Sequence, residues 1–139
     1  GGCKNPISCD NIDQAQKSLT IFNPEHMKER LNEISMENWM HCIDQSFEKA
    51  GIDKDDLGYL AVLHFKRSMH NYMLDLLNIE EDQSSYLSHY GHIGQIDQIL
   101  SLRLGLEDNK IEDGTVVSMI AAGIGYAWAA NVIKWGELE

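Results

Sequence analysis

The sequence predicts an α/β fold in which helices cover a mixed sheet. Two patterns indicate this class: apolar residues recur at helical spacing in several long runs, and short, continuous apolar runs of strand length lie between them. The predicted order is helix, strand, helix, strand, helix, strand, strand. Strands that alternate with helices favour a layered sheet, and the final pair of strands closes it as a hairpin.

The first 23 residues combine two glycines, a proline and scattered polar residues without sustained periodicity. We expect residues 1–23 to be an irregular or linking segment, or to form a short strand around Leu19–Phe22. The periodic patterns then begin, so one domain is predicted for residues 24–139. A chain of 139 residues is long enough to bury a sizeable core without disulfide or metal staples.

Helical spacing predicts the elements that cover the sheet. A run at 24–34, with Asn23 as its N-cap, is followed by a stronger amphipathic run at 35–50. Two further helices are predicted at 67–77 and 95–106. The last of these is expected to bury its regularly spaced apolar residues, which are Ile96, Ile99, Leu100 and Leu104.

Short apolar runs predict four strands in the same domain. Residues 59–63 are apolar without interruption, as expected of a strand that is covered on both faces. A brief strand is predicted at Tyr86–Leu87. The closing hairpin is predicted from strands at 115–121 and 126–135, which flank a glycine-containing turn.

The charge balance and cysteine pattern limit the classes of function. With 22 acidic and 11 basic residues, the net charge of −11 repels a phosphate backbone, so nucleic acid is not an expected partner. Three cysteines without a CxxC pair favour a reducing cytoplasm. We expect no membrane span, because no apolar run reaches about 18 residues. The first residue is not Met, so we expect a processed chain or an excised piece.

Two histidines draw attention because each follows a predicted strand. His64 ends the strand at 59–63, and His92 lies between Gly91 and Gly94, which permit unusual turns and the close approach of a ligand. Both strands lead into a helix, so both loops leave the sheet at its carboxyl edge, where open α/β sheets bind ligands. A neutral imidazole there can donate a hydrogen bond or accept a proton. A purely structural role is the alternative for each.

Other chemical motifs are weaker. The sequence contains no HExxH helix and no Cys/His quartet, so we expect no metal site. Gly123-Ile124-Gly125 lacks the third glycine of a dinucleotide loop and precedes a strand instead of a helix. Lys66 and Arg67, the only adjacent basic pair, lie beside His64 and could receive a phosphate of coenzyme A or phosphopantetheine. A solvated surface pair is the alternative.

Three motifs follow one another in a specific order: the strand-end histidine Leu63-His64, the loop Tyr90-Gly91-His92, and the glycine-rich hairpin Ala121–Trp128. Together they resemble the C-terminal half of the 3-oxoacyl-[acyl-carrier-protein] synthase III family. The similarity runs from about Pro24 to Trp135. It implies one half of a thiolase-like fold, without the nucleophilic cysteine that the family carries in its N-terminal half.

The sequence departs from the family pattern at both histidine motifs. Phe65-Lys66-Arg67 stands where the family usually has Gln-Ala-Asn, so Arg67 occupies the position of an asparagine that lines the pantetheine tunnel. His92 replaces the catalytic asparagine of the Tyr-Gly-Asn loop. The resemblance therefore implies a Cys-His-His set, as in elongating condensing enzymes.

The resemblance implies an acyl-thioester condensing enzyme. His64 and His92 would be catalytic, polarising the carbonyl of a malonyl thioester as carbon dioxide leaves and stabilising the enolate that attacks the acyl-cysteine. The implied substrate-binding residues are Lys66, Arg67, Gly123, Gly125 and Tyr126. No cofactor is expected, since acyl-coenzyme A and the phosphopantetheine of acyl carrier protein act as substrates. The implied partners are that carrier, the N-terminal half and a second copy in a homodimer.

Two alternatives remain open at the level of sequence. One is a thiolase-fold acyltransferase that moves the acyl group to an oxygen or nitrogen nucleophile without condensation. The other is a non-catalytic domain that only binds acyl-coenzyme A or acyl carrier protein. A cysteine at a helix N-terminus in the upstream half would favour an enzyme over the binding domain.

Overall fold

The computed structural model describes residues 8–14, 21, 23–123 and 125–136. Within these ranges no helix is both long and apolar enough to cross a membrane. The strand predicted at 19–22 falls on positions of which only Ile21 is described, so that prediction stays untested.

The first helix, α1, is continuous from Pro24 to Ala50. The Asn23 side chain accepts a hydrogen bond from the backbone N–H of His26, as predicted for an N-cap, and Gly51 ends the helix in the left-handed conformation. The prediction of two separate runs was wrong because no glycine or proline lies between Pro24, at the first helical position, and Gly51. The more polar first turns extend the amphipathic helix instead of forming one of their own.

Five further elements follow α1 along the chain. They are β1 (Leu57–Val62), α2 (Arg67–Leu77), α3 (Asp97–Glu107), β2 (Val116–Gly123) and β3 (Ala127–Lys134). Single turns of 3-10 helix occupy Ile12–Gln14, Lys54–Asp56 and Glu81–Gln83. The bounds of α2 match the prediction, and the other bounds differ by about two residues, which is usual at element ends.

The strand predicted at Tyr86–Leu87 is not formed. The chain instead makes an isolated parallel bridge between Ser84 and Leu60 of β1. The Ser84 hydroxyl donates to the Leu60 carbonyl at 2.7 Å, and Lys110 Nζ donates to the Ser84 carbonyl at 2.9 Å. Hydrogen bonds of the Ser84 and Lys110 side chains therefore hold the segment beside β1. The apolar pattern does not reveal such bonds, and the predicted strand at Tyr86–Leu87 was wrong.

The three strands form a mixed sheet in the order β1-β2-β3, as predicted for the fold class. β1 and β2 are parallel, with Val62 beside Ile120, and β2 and β3 form the antiparallel closing hairpin, with Gly123 beside Ala127. Because β1 and β2 point the same way, the residues that follow them lie at one edge of the sheet.

Each face of the sheet carries its own apolar core. Helices α1 and α2 cover one face, and their buried side chains pack on β1 and β2; the group comprises Trp39, Ile43, Phe47, Leu57, Leu60, Val62, Met73, Leu74, Leu77, Val116 and Ile120. Helix α3 covers the other face, where the buried group comprises Tyr59, Ala61, Ile111 and Val117. Alternate residues of β1 serve the two faces, as a strand covered on both sides requires.

Helix α3 does not bury the residues that its apolar spacing suggested. Ile96 and Ile99 are 60% and 54% exposed, whereas the buried positions of the helix are Asp97, Gln98, Ser101 and Gly105. Leu100 and Leu104 are half-buried. The expectation was therefore wrong for both isoleucines, because small and hydrogen-bonding residues let α3 approach the sheet more closely than a row of isoleucines permits.

Candidate functional site

The two histidines lie on loops that meet at the carboxyl edge of the sheet. His64 follows β1 by two residues, and the backbone N–H of Leu63 still donates to the Ile120 carbonyl of β2 at 3.2 Å. His92 lies on the loop that leads into α3. The structure thus brings together the two residues that the sequence singled out.

A buried carboxylate joins the two loops. Asp97, the first residue of α3, is fully buried and accepts the backbone N–H of His64 through Oδ2 at 2.8 Å. The same Oδ2 lies 2.5 Å from Nδ1 of His92. Oδ1 accepts the backbone N–H of Ile93 at 2.8 Å. One side chain therefore fixes the backbone beside one histidine and the ring of the other.

The Asp97 carboxyl is held in its ionised form. Burial alone would raise its pKa, but hydrogen bonds from the backbone N–H groups of His64 and Ile93, together with the contact to the His92 ring, bring the pKa below its usual value. A buried charge needs such partners, because an unpaired one would be costly to remove from water. The network thus supplies the stabilisation that allows a charged group in this position.

The His92 loop is shaped by glycines and tied to β2. Gly91 and Gly94 adopt φ values of 69° and 87°, which side-chain-bearing residues rarely adopt. Beyond them, the Gln95 amide donates to the Ala122 carbonyl at 3.0 Å, and the Gln98 amide donates to the Ile120 carbonyl at 2.8 Å. The loop is therefore anchored at the carboxyl end of β2, and the His92 side chain remains 54% exposed.

His64 lies in an aromatic surrounding. Its ring centroid is 4.8 Å from that of Tyr86, whose hydroxyl donates to the Phe65 carbonyl at 3.0 Å. Two more side chains contact the Tyr86 ring. The His70 ring centroid lies 5.3 Å from that of Tyr86, and Cζ of the Arg67 guanidinium lies 4.0 Å from it. Nδ1 of His64 is buried and has no hydrogen-bond partner within the described part of the chain. Few buried polar atoms in native structures lack a hydrogen-bond partner.

His70, on α2, is held neutral beside this cluster. It is 4% exposed, and burial, with the nearby Arg67 and His64, lowers its pKa from 6.5 to about 4. A lowered histidine pKa means that the unfolded chain binds a proton more readily than the folded chain. The corresponding stability is present above pH 6.5 and is lost as the pH falls toward about 4.

Acidification from about pH 7 to about pH 5 is therefore expected to lower the free energy of unfolding by about 1 to 2 kcal/mol through His70. Urea denaturation of wild type and His70→Gln at both pH values measures this contribution as the difference between their pH dependences. His41→Gln, which removes an exposed histidine of α1, is the matched control. An unchanged pH dependence in His70→Gln would show that His70 does not titrate with unfolding.

The other predicted site residues lie near the same edge. Lys66 and Arg67 are exposed at the start of α2. Gly123 ends β2, and Gly125 and Tyr126 form the turn before β3, with Tyr126 43% exposed. Their roles toward a substrate stay predictions. The Arg67 guanidinium already lies over the Tyr86 ring, so it is less free than a solvated surface residue.

Sequence reasoning missed Asp97 and Tyr86. The available signal for Asp97 was an acid five residues after the loop histidine, at the start of a helix whose neighbours are apolar or amide-bearing. Tyr86 was assigned to a strand, although its ring packs on His64.

Among the described residues, no group of three or more His, Cys, Asp or Glu side chains is arranged to hold a metal ion. An open groove of about 200 Å³ beside Gln95 and Gln98 does not include either histidine.

Comparison with known proteins identifies the family of the chain. Residues 47–135 match the family model described as 3-oxoacyl-[acyl-carrier-protein (ACP)] synthase III C terminal. The chain belongs to this family. It is 30% identical over 91 residues to beta-ketoacyl-[acyl-carrier-protein] synthase III of Bacillus pumilus, an alignment that covers 65% of this chain and 29% of that protein. The chain thus corresponds to less than a third of the length of this curated relative.

Solved synthase III structures share the fold. The enzyme from Thermus thermophilus superposes with a TM-score of 0.71 at 19% identity, over 78% of this chain and 34% of that one. The enzyme from Pseudomonas aeruginosa superposes with a TM-score of 0.72 at 15% identity, over 97% of this chain and 39% of that one. The predicted thiolase-like fold and the identification as a synthase III C-terminal domain are confirmed.

Proposed function

We propose that this chain is the C-terminal domain of an acyl-thioester enzyme of the synthase III type, in which His64 and His92 act on the substrate thioester. The observation that carries the proposal is the Asp97 carboxylate, which binds the backbone of His64 and the ring of His92 through the same oxygen. A residue that only stabilised the fold would not need to orient an imidazole that is half exposed.

The two histidines act at the carbonyl oxygen of a thioester and at the carbon beside it. As that carbon becomes an enolate, or as an acyl carbonyl is attacked, negative charge develops on oxygen and is stabilised by a hydrogen-bond donor fixed in advance. His64 is suited to the donor role, because its backbone is fixed by Asp97 and its ring is held against Tyr86. Condensation is the leading reaction, and both histidines stabilise or form the thioester enolate.

Substrate binding and assembly complete the proposal. Lys66 and Arg67 bind phosphate of coenzyme A or of the phosphopantetheine on acyl carrier protein, since they are the only adjacent basic pair in an acidic chain. Gly123, Gly125 and Tyr126 contact the pantetheine or acyl chain. The nucleophilic cysteine comes from an N-terminal half, and the resulting assembled enzyme is a cytoplasmic homodimer in fatty acid synthesis.

Acyl transfer to an oxygen or nitrogen nucleophile is a second candidate within the same site. The specific observation in its favour is the contact between Nδ1 of His92 and a carboxylate, an arrangement that suits a general base. The non-catalytic binding domain is less favoured, because it gives no reason to bury a charged group in order to orient His92.

The proposal is tested by incubating the assembled enzyme with an acyl-coenzyme A and candidate second substrates. We expect release of free coenzyme A and formation of an acylated or condensed product. Mass spectrometry detects both. Persistence of the thioester with every second substrate, in a folded protein that still binds acyl-coenzyme A, would instead identify a binding domain.

A further inference from the structure

We propose that Asp97 is a positioning residue that fixes His92 as the proton acceptor of the site, so that the second substrate is a nucleophile that still carries its proton. The inference rests on the proposed function, since it assigns a substrate class to the same pair of histidines. The class comprises alcohols, amines and α-carbons of thioesters that carry no malonyl carboxylate. It narrows the proposed condensation to one in which the α-carbon loses a proton, and it excludes decarboxylation as the source of the nucleophile.

Three nitrogen atoms converge on the Asp97 carboxylate. The backbone N–H groups of Ile93 and His64 donate to its two oxygens, and a backbone N–H group can only donate. An ionised carboxylate in turn can only accept, and the lowered pKa of Asp97 keeps it ionised at neutral pH. The third contact, at 2.5 Å to Nδ1 of His92, therefore requires a proton on that nitrogen.

The position of that proton decides what His92 can do. A neutral imidazole carries one N–H, so a proton on Nδ1 leaves a lone pair on Nε2. Nε2 then accepts a proton and cannot donate to a carbonyl oxygen until the ring has been protonated. Decarboxylative condensation, as the family resemblance implied it, requires both neutral imidazoles to donate. The Asp97 contact is at odds with that role for His92.

His64 is bound to Asp97 in a different way, so the two histidines are not equivalent. Only its backbone N–H contacts the carboxylate, and its ring packs on Tyr86. The tautomer of His64 is therefore not set by Asp97. A division of labour follows: His64 stabilises the developing oxyanion, and His92 removes the proton of the incoming nucleophile.

The chemical step balances without an added reagent. For an alcohol or amine, Nε2 of His92 takes the O–H or N–H proton as the oxygen or nitrogen attacks the acyl carbonyl carbon. The tetrahedral intermediate then expels the thiolate by breaking the C–S bond, and the imidazolium returns its proton to that sulfur. For a thioester α-carbon, Nε2 takes the α-proton, and the enolate carbon attacks the acyl carbonyl with the same loss of thiol. During either step Asp97 stabilises the positive charge on His92.

The tautomer of His92 is measurable without any substrate. In purified protein labelled with ¹⁵N in its histidine rings, long-range ¹H–¹⁵N correlation spectra show which ring nitrogen carries the proton, and His92→Gln assigns the signals. We expect the neutral ring to carry its proton on Nδ1 and to have an unprotonated Nε2. In Asp97→Asn, which removes the negative charge that holds the proton on Nδ1, the share of the ring that carries its proton on Nε2 is expected to rise. A protonated Nε2 with an unprotonated Nδ1 in the wild type would overturn the inference.

Kinetics of the assembled enzyme supply the second test. We expect acyl transfer to a proton-bearing acceptor without release of carbon dioxide, and a loss of about a hundredfold or more in Asp97→Asn, because a neutral amide neither holds the proton on Nδ1 as a carboxylate does nor stabilises the imidazolium. Asp108→Asn, which changes an exposed acid at the far end of α3, is the control and should retain full activity. Turnover only with a malonyl thioester, with Asp97→Asn as active as wild type, would also overturn the inference.

The two tests separate the inference from the proposed function. If no acceptor of any kind receives an acyl group, the proposed function fails, and the spectra still decide what Asp97 does to His92. If acyl transfer occurs but His92 carries its proton on Nε2, the proposed function stands and the assignment of His92 as a base is wrong.

Discussion

In the assembled enzyme, His64→Ala is expected to lower the rate of the step that consumes the second substrate by about a hundredfold to a thousandfold. Removal of one preorganised donor at an oxyanion typically has an effect of this size. The ring of His64 packs on Tyr86 and its backbone is bound by Asp97, so little reorganisation is needed at the moment of reaction. His92→Ala is expected to have an effect of similar size, through loss of the proton acceptor.

The measurement separates two steps of the reaction. Acylation of the cysteine is followed by rapid quench and mass spectrometry, and transfer or condensation is followed by product formation. In both variants the rate of cysteine acylation should fall less than the rate of product formation, because the histidines act mainly on the second substrate. His41→Ala, an exposed histidine on α1, serves as the control. Normal rates of product formation in both variants would mean that His64 and His92 are structural.

The fold was predictable because its signals are local and repeated. Helix α2 was predicted at its observed bounds, and β1 was recognised from an uninterrupted apolar run, since a strand covered on both faces leaves no polar positions. The N-cap of α1, Asn23, was also predicted correctly. The interior of α1 was divided because a change in polarity was taken for a boundary, although no residue there breaks a helix.

The site was only partly predictable because it depends on contacts between distant residues. His64 and His92 could be found from their places after strands, but the interaction of both with Asp97 links positions 33 and 5 residues apart, and no periodicity encodes it. The buried side of α3 was misjudged for the same reason. The buried residues of α3 are small or form hydrogen bonds, which permits close approach to the sheet, and the apolar Ile96 and Ile99 remain exposed.

That close approach has a consequence for stability at Gly105 of α3. A Cβ atom added there would lie 2.6 Å from Cζ of Tyr59 and 2.7 Å from Cδ1 of Ile111. Neither neighbour has room to move, because Tyr59 is fully buried and Ile111 is 4% exposed. The Tyr59 hydroxyl is also held 2.7 Å from the Ser101 carbonyl and 2.8 Å from the Ser85 hydroxyl. The helix must shift outward, or the Tyr59 network must break.

Gly105→Ala is therefore expected to lower the free energy of unfolding by about 3 kcal/mol. Overpacking in a rigid core typically costs about 1 to 3 kcal/mol, and the weakened bonds of Tyr59 place this change at the upper end. The sign of this change in the free energy of unfolding is informative, since alanine in place of an interior helical glycine otherwise stabilises a helix by about 1 kcal/mol. Denaturant unfolding measures the difference. Arg103→Ala, on the exposed side of α3, should leave the midpoint nearly unchanged, and a stabilised Gly105→Ala would contradict the packing described for α3.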